Sequence, residues 1–443
     1  MVNEMNPYLP LNKFIADTEP HVFDDKLYIY GSTDQFKGEQ YCPLDYEVFY
    51  CDINDLGNFV CAGISYKKTD DPDNRDGKHC LYAPDVVRGN DGKYYLYYFI
   101  ESIDAIKVAV SDKPEGPFSY YGDVKYCVDR ESLSDYPSSF DPAVINDNGR
   151  IYLAFGFSVD FKIEGMNLND KNTKGAYIVE LQQDMLTMKS APKLIVPGYK
   201  WGKNTSFFKH EFLEASSLRK FNNMYYFIYS SQNQHELCYA MSDNILGPYT
   251  YQGVLISNAY ENGYKNNWAN NHGSIEKIKD DYYIFYHRHS CGTQYSRNSC
   301  VERIEYDGIH FKQAKITSQG FRKKLEKGMY PASIACFVYD NDEGKFIGFN
   351  KTANDVARIE NDRIVNIKKS TIVYRYFKQI NKLTLYFDQV NDQEDVKIKI
   401  NENEFKCQII DNKTTLECNI NNCQVELMFN CSKPITLTAV EVK

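Results

Sequence analysis

The sequence predicts an all-β protein: a five-bladed β-propeller followed by a small C-terminal β-sandwich. Three observations support this fold class: the aromatic composition, a repeated strand phrase, and a change of pattern after about residue 322. Of 443 residues, 15% are aromatic, with 37 Tyr and 26 Phe against 2 Trp. Tyrosine at this level favours strands, because a flat ring with a polar tip suits a half-buried pleated surface. The length allows one large domain and a smaller one.

The repeated phrase is a turn containing Asp, Asn or Gly, followed by a strand rich in Tyr and aliphatic residues. Its five copies are Asp24–Gly31, Asp91–Tyr98, Asn148–Phe155, Asn222–Tyr229 and Asp280–Tyr286. Such turns are strong hairpin signals, and the alternation has the period of a strand. The copies recur every 57 to 74 residues, which is enough for one four-stranded sheet each. Radial repetition predicts a propeller over residues 1–322, whereas a plain sandwich would show turns without this recurrence.

Beyond the repeats, the pattern changes to short alternating strands. Examples are Lys382–Phe387 and Val396–Ile400, with a hairpin turn at Asp411–Lys413. These features predict a β-sandwich accessory domain over residues 323–443. The segment contains no Trp, so a sugar-stacking platform there would depend on Tyr or Phe.

Charge and cysteine content exclude several function classes. The formal charge is −9 and basic runs are absent, which argues against nucleic-acid and membrane-surface partners and favours neutral molecules such as sugars. No apolar run approaches the roughly 18 residues that span a bilayer. Thirteen scattered cysteines without a CxxC pair, and an N-terminus without signal-peptide features, predict a reducing cytoplasm. A removed leader stays an alternative, and the oligomeric state is undetermined.

Three acids stand at equivalent places ahead of the repeated strands: Asp17, Asp141 and Glu214 precede the first, third and fourth copies. Each blade of a propeller begins near the central channel, so we expect the three side chains to meet in one pocket. Glycosyl transfer to water needs two carboxyl groups, one to protonate the leaving oxygen and one to activate water or attack the sugar. A third acid raises the pKa of the proton donor. Taken singly, each acid could also be a turn or blade-capping residue.

The motifs around these acids resemble glycoside hydrolase family 43 over about residues 6–320. The resemblance rests on six segments, in the family's order: Ala16–Pro20, Tyr82–Asp85, Phe140–Ala143, Glu214–Lys220, Asn271–Gly273 and Ser296–Arg297. It implies a five-bladed propeller and hydrolysis with inversion of configuration, which requires an acid–base separation of about 6.5–9.5 Å. The C-terminal segment is similar to a carbohydrate-binding module.

The same resemblance implies catalytic roles for the three acids. Asp17 would be the base, Glu214 the acid, and Asp141 would hold Glu214 protonated and orient it. Two neighbouring acids remain rivals. Glu19 competes with Asp17, because Thr18 replaces the proline that often follows the base, and Glu211 competes with Glu214.

Four further residues are expected in the pocket by resemblance. Arg297 would contact sugar hydroxyls, Tyr82 and Phe140 would wall the pocket, and His272 would face the axial channel. No cofactor is required, although the family pattern allows a structural calcium ion beside His272, and one His with waters makes a weak calcium site. Three more histidines could reach the pocket, without an assigned role: His210, His287 and His289.

The function expected is that of an α-L-arabinofuranosidase releasing arabinose from plant cell-wall oligosaccharides. A β-D-xylosidase or an arabinanase on the same scaffold is the first alternative, because pocket loops choose the sugar. A non-catalytic carbohydrate-binding propeller is the second, and it predicts loss of at least one of the three acids, all of which are present. A related glycoside phosphorylase would need a basic cluster for phosphate, and no convincing one is visible.

Overall fold

The structure, a computed structural model, describes residues 4–159, 168–257, 260–261, 263–265, 270–341, 356–388, 390 and 394–443. The described chain contains thirty β-strands and four short 3₁₀ turns: Lys68–Asp70, Pro72–Asn74, Arg130–Ser132 and Ala332–Ile334. Across these ranges no helix has the length and apolar character needed to cross a membrane. The all-β prediction is therefore confirmed.

Five sheets form the propeller. The first contains β1 (Ile15–Phe23), β2 (Lys26–Thr33), β3 (Tyr46–Asp52) and β4 (Val60–Tyr66); the second β5 (Leu81–Arg88), β6 (Tyr94–Ile100), β7 (Ile106–Ser111) and β8 (Ser119–Asp123). The third contains β9 (Ala143–Asp147), β10 (Arg150–Gly156), β11 (Gly175–Leu181) and β12 (Lys193–Pro197); the fourth β13 (Phe212–Phe221), β14 (Met224–Ser231), β15 (Leu237–Ser242) and β16 (Thr250–Ile256). After the hairpin β17 (Tyr260–Glu261) and β18 (Tyr264–Lys265) come β19 (Ser274–Ile278), β20 (Asp281–Arg288) and β21 (Asn298–Ile304).

The repeated phrases form the second strand of every blade: β2, β6, β10, β14 and β20. Their turns contain residues with left-handed backbone, such as Asp24 (φ 53°), Asn148 (φ 53°) and Asn222 (φ 48°), which Asn and Asp adopt more readily than other side chains. Strand β6 is buried at every residue, because each blade packs against a neighbour on both faces. The innermost strands contact one another in a ring: β1, β5, β9, β13 and β19.

The fifth sheet differs from the four-stranded prediction, since its described part has only three strands, β19–β20–β21. Residues 6–8 lie along its outer edge. The Tyr8 N–H donates to the Ser299 carbonyl (3.2 Å), and the Asn6 side chain both donates to the Val301 carbonyl and accepts from the Val301 N–H, each at 2.8 Å. The N-terminal segment thus supplies the hydrogen bonds that a fourth strand would make.

The C-terminal strands form one curled sheet, which we call the C-terminal sheet. It comprises β22 (Gly328–Pro331), β23 (Phe337–Asp340), β24 (Arg358–Glu360), β25 (Arg363–Ile367), β26 (Ser370–Asp388), β27 (Glu394–Ile400), β28 (Asn403–Ile409), β29 (Lys413–Phe429) and β30 (Ile435–Val442). The long strands β26 and β29 pair with register shifts near residues 376 and 381. The sheet encloses its own apolar core, including Ile372, Leu385 and Leu427. This sandwich-like unit confirms the second half of the fold prediction.

Candidate active site

Bulges in the innermost strands shape the mouth of the central channel. The register of β1 shifts between Ala16 and Glu19, and that of β13 between Glu214 and Ser217. Asp17 has a left-handed backbone (φ 52°), as does Asp141 (φ 46°) just ahead of β9. A bulge bends the strand and re-aims side chains, and such strained positions cluster at functional sites.

Gly31 makes the first bulge sterically possible. It lies on β2 opposite the bulged residues, and a Cβ there would stand 2.3 Å from the Ala16 carbonyl oxygen. Only glycine allows the two strands to approach this closely.

Arg297 holds two buried carboxylates at the pocket floor. Its Nη1 lies 2.8 Å from Asp17 Oδ1, while Nε and Nη2 form a bidentate pair with Asp34 at 2.8 and 2.9 Å. The Arg297 N–H also donates to Asp34 Oδ2 at 3.1 Å. Arg297 is only 1% exposed, so its guanidinium interacts with the two carboxylates rather than with bulk water.

Asp17 remains ionised despite its burial. Burial raises the pKa of its carboxyl, but the charge of Arg297 and smaller contributions from His287 and His272 outweigh this and lower the pKa to about 2. The Asp17 N–H donates to His287 Nδ1 at 3.1 Å. The Cys42 thiol lies 3.7 Å from Asp17 Oδ2. Asp17 is therefore a carboxylate poised to accept a proton.

The pKa values of Glu214 and Asp141 are raised, whereas that of Asp17 is lowered. Burial and the negative charge of Asp17 raise the pKa of Glu214 to about 7. Burial and the charges of Glu214 and Asp17 raise the pKa of Asp141 well above its ordinary value, although it accepts the Ala215 N–H at 2.8 Å. Buried acids this close resist joint ionisation, so the site keeps a protonated carboxyl at neutral pH beside the ionised Asp17.

His272 lies behind the acids, in the channel. Its Nδ1 is 3.7 Å from Asp141 Oδ2, and its Nε2 is 3.9 Å from Glu19 Oε1. Burial lowers the pKa of His272 to about 4, so it is neutral. Neither His272 Nε2 nor Glu19 Oε1 has a hydrogen-bond partner among the described residues, which is the environment of a water or a hydrated ion.

Tyr82 and Phe140 belong to a cluster of aromatic rings. Tyr82 is half-buried and its ring centroid lies 5.6 Å from that of Phe140, which is 8% exposed and packs on Phe157 at 4.6 Å. The Arg297 guanidinium lies over the Tyr41 ring, 4.9 Å from its centroid, and the Tyr41 hydroxyl donates to Gln294 Oε1 at 2.9 Å.

The two rival acids have neighbours other than Arg297. Glu19 lies 2.6 Å from the buried Arg219 and 3.9 Å from His272. Glu211 packs against Gly202, where an added Cβ would be 2.1 Å from the Glu211 Cγ. His210 binds Glu236 (3.0 Å) and stacks on Tyr251.

The structure brings together five of the predicted site residues, with Tyr82 and Phe140 as neighbours. These five are Asp17, Asp141, Glu214, His272 and Arg297.

Sequence reasoning missed several residues that contact Arg297: Asp34, Tyr41 and Cys42. Asp34 comes directly after the first repeated strand. An acid at the end of an inner hairpin is the one sequence feature that could have predicted its place in the site. His287, to which the sequence pattern assigns no role, contacts Asp17. His289 lies beside it, with ring centroids 5.3 Å apart. Together the groups can accept a proton at Asp17 and deliver one from Glu214.

The sequence matches the family model described as glycosyl hydrolases family 43 over residues 7–309. A xylosidase/arabinosidase of Thermoclostridium stercorarium is 42% identical over 356 residues, covering 77% of this chain and 73% of the relative.

Solved structures agree with this similarity. A family 43 β-xylosidase/α-arabinofuranosidase from a compost microbial metagenome, solved with xylotriose in a calcium-free form, has 28% identity and a TM-score of 0.56 over 71% of this chain and 98% of its own. An arabinoxylan arabinofuranohydrolase of Bacillus subtilis shares the fold along the whole chain, covering 100% of this chain and 98% of its own, with a TM-score of 0.53 at 16% identity.

Proposed function

The chain belongs to glycosyl hydrolase family 43 and is a glycosidase, and from this premise we propose that it removes terminal pentoses from oligosaccharides with inversion of configuration. The observation that carries the proposal is the opposite behaviour of two buried acids: Arg297, 2.8 Å from Asp17, helps to lower the pKa of Asp17 to about 2, whereas burial and the charge of Asp17 raise the pKa of Glu214 to about 7. An inverting glycosidase needs an ionised base and a protonated acid at once.

In the proposed reaction, a water oxygen attacks the anomeric carbon while Asp17 accepts the water proton. The bond from the anomeric carbon to the leaving oxygen breaks, and Glu214 donates its proton to that oxygen. Asp17 ends protonated and Glu214 ionised, and exchange with solvent restores both. Room for one water requires a separation of about 6.5–9.5 Å between the two carboxyls.

Asp141 and Arg297 set the charge of the site. Asp141 would resist ionisation of Glu214 through its proximity, and its bond to the Ala215 N–H (2.8 Å) would orient the acid. Arg297 would keep Asp17 ionised and strengthen the field at the acid. Direct contact of Arg297 with sugar hydroxyls remains a prediction. Tyr82 and Phe140 would form the apolar wall against the sugar ring.

We propose α-L-arabinofuranosidase as the main activity, with β-D-xylosidase as the second candidate. The second is favoured by the names of the relatives: the Thermoclostridium enzyme is called a xylosidase/arabinosidase, and the metagenomic structure holds xylotriose. Both sugars are neutral pentoses, so the charge of the site does not distinguish them.

His272 and the channel fit a water or a hydrated calcium ion. The partnerless Nε2 of His272 and Oε1 of Glu19 face each other at 3.9 Å. Since calcium prefers six to eight oxygen ligands, most would have to be waters. When bound, such an ion would add positive charge behind Asp141. No step of the proposed reaction depends on it.

We further propose that the enzyme acts in a reducing compartment such as the cytoplasm, on short oligosaccharides. All thirteen cysteines are free in the structure, including the exposed Cys61 and Cys127, which suits reducing conditions. Detection of the native protein only in the extracellular fraction of its source cells would contradict this.

The test of function is hydrolysis of a panel of 4-nitrophenyl pentosides and hexosides, and of xylo- and arabino-oligosaccharides, by the wild type and by Glu214→Gln and Asp17→Asn. Asp17→Asn should lower kcat/KM by about 10²–10⁴-fold or more on every substrate, and Glu214→Gln should do so on xylo- or arabino-oligosaccharides, whose leaving oxygen needs a proton more than 4-nitrophenolate does. The control is Glu211→Gln, a buried acid just ahead of β13 that packs against Gly202. NMR of the first product formed should show the inverted anomer.

The outcomes separate the alternatives. Unchanged turnover of a xylo- or arabino-oligosaccharide in Glu214→Gln, or of any substrate in Asp17→Asn, would remove that residue from the reaction, and loss in Glu211→Gln would move the role there. A folded wild type that cleaves no sugar of the panel would favour a carbohydrate-binding propeller. The ratio of kcat/KM on the arabinofuranoside and the xyloside decides between the two sugars.

A further inference from the structure

Two loops that shape the pocket floor are joined to each other. We call them the rim loops: residues 34–45, between β2 and β3, and residues 289–297, between β20 and β21. The Ser296 hydroxyl donates to the Gln35 carbonyl (3.0 Å) and accepts the Lys37 N–H (2.8 Å). The next residue, Arg297, binds Asp34. Any shift of one rim loop therefore moves the other and the guanidinium between them.

Strand β24 of the C-terminal sheet contacts both rim loops. The Ile359 N–H donates to the Ser290 carbonyl at 2.8 Å, and Glu360 Oε2 lies 3.3 Å from Lys37 Nζ. Glu360 is itself oriented by Arg358, whose Nη2 is 2.7 Å away. One short strand thus supports one rim loop by a backbone bond and the other by an ion pair.

Packing around Gly292 makes this support close. A Cβ at Gly292 would stand 2.9 Å from Val356 Cγ2 and 3.2 Å from Arg358 Cβ, so the loop backbone lies directly on the C-terminal sheet. At the end of β20, Arg288 donates through Nη1 to the Cys336 carbonyl at 2.8 Å. Ile359 is 1% exposed and belongs to the apolar core of the C-terminal sheet, which anchors β24 firmly.

We propose that β24 is a positioning element of the active site, with Glu360 as a positioning residue that acts on Arg297 through Lys37 and the rim loops. This role for the C-terminal sheet differs from carbohydrate binding, and it rests on the proposed function for its kinetic consequence. A displacement of catalytic groups by a fraction of an ångström lowers turnover without abolishing folding.

The test uses the full chain and four variants: Glu360→Gln, Lys37→Met, their double, and Asp388→Asn. The last removes a second ion pair of the C-terminal sheet, Arg363–Asp388 (3.0 Å), which involves no propeller residue. Glu360→Gln should lower kcat/KM by roughly three- to tenfold, a modest loss because the ion pair is partly exposed. Lys37→Met should add nothing to it in the double variant, and Asp388→Asn should match the wild type.

Hydrogen–deuterium exchange gives a readout that does not need activity. Peptides covering residues 34–45 and 289–297 should exchange faster in Glu360→Gln than in the wild type and Asp388→Asn. Unchanged exchange there overturns the proposal, even if the wild type cleaves no glycoside and the proposed function has failed. If the wild type is active, three further outcomes overturn the proposal. The first is faster exchange in Glu360→Gln with unchanged kcat/KM. The others are additive losses of kcat/KM in the double variant and an equal loss of kcat/KM in Asp388→Asn.

Discussion

Replacing Arg297 by Lys tests the electrostatic basis of the site most directly. The guanidinium binds Asp17 with one nitrogen and Asp34 with two. A lysine ammonium is a single point charge and cannot reproduce that fork. We expect the ammonium to pair with one carboxylate and to leave the negative charge of the other less well neutralised. Because one ammonium is either shared between the two carboxylates or bound to one of them, Asp17 should receive less positive charge than in the wild type.

The size of the effect follows from the pKa of Asp17. Arg297 is the largest influence that lowers it, to about 2 from the ordinary 3.8, against the opposing effect of burial. Without that influence the pKa should rise toward or above the ordinary 3.8, because burial is then opposed only by the smaller contributions of His287, His272 and Ser32. A change of the Asp17 pKa from about 2 to 3.8 corresponds to roughly 2 kcal/mol. The base would then be protonated below about pH 4 to 5, within the range that an assay can reach.

The assay is kcat/KM on the better 4-nitrophenyl pentoside from pH 3.5 to 9. The wild type should show no acidic limb down to about pH 4, whereas Arg297→Lys should show one. Arg219→Lys is the matched control, since Arg219 is also buried and paired with a carboxylate, Glu19. Circular dichroism establishes that both variants fold. An Arg297→Lys profile that parallels the wild type at acidic pH would refute the charge coupling of Arg297 and Asp17.

Three further predictions concern pH and metal. Wild-type kcat/KM should fall as pH rises through about 7, where Glu214 loses its proton. A decline that instead begins near pH 4.5, the ordinary pKa of a glutamic acid, would contradict the assignment of Glu214 as the acid. Burial raises the pKa of Glu302 to about 8, so its contribution to stability is fully present below about pH 4.5 and is lost as pH rises through about 8. Glu302→Gln should therefore flatten the decline of Tm between pH 5 and 9, and identical slopes in scanning fluorimetry would contradict this. Dialysis against a chelator should leave kcat/KM within about twofold, whereas a large loss that calcium restores would give the ion a catalytic role.

The strand pattern of the propeller was readable because its signals are local. A turn residue such as Asn148 prefers the left-handed backbone it adopts, and alternation of side chains along β10 has a period of two residues. The three-stranded fifth sheet was not foreseen, because its outer edge is completed by residues 6–8, almost three hundred positions away in the chain.

The choice between Asp17 and Glu19 shows what local pattern cannot give. In a regular strand, residues two apart share a face, so the two acids would be equivalent. The bulge between Ala16 and Glu19 separates them, leaving Asp17 on Arg297 and Glu19 on Arg219. That bulge depends on Gly31 in the next strand and on the packing of the blades.

The sequence by itself determined the five repeats, the acids at the blade mouths and the alternating strands of the C-terminal segment. Tertiary structure alone decided the partners of those acids: Asp34 and Arg297 are 263 residues apart in the chain, and Glu360 reaches Lys37 from the C-terminal sheet. The reason is physical. Backbone preference and side-chain period are encoded within a few residues, whereas a buried charge takes its partner from whichever strands the closed ring and the docked sheet bring beside it.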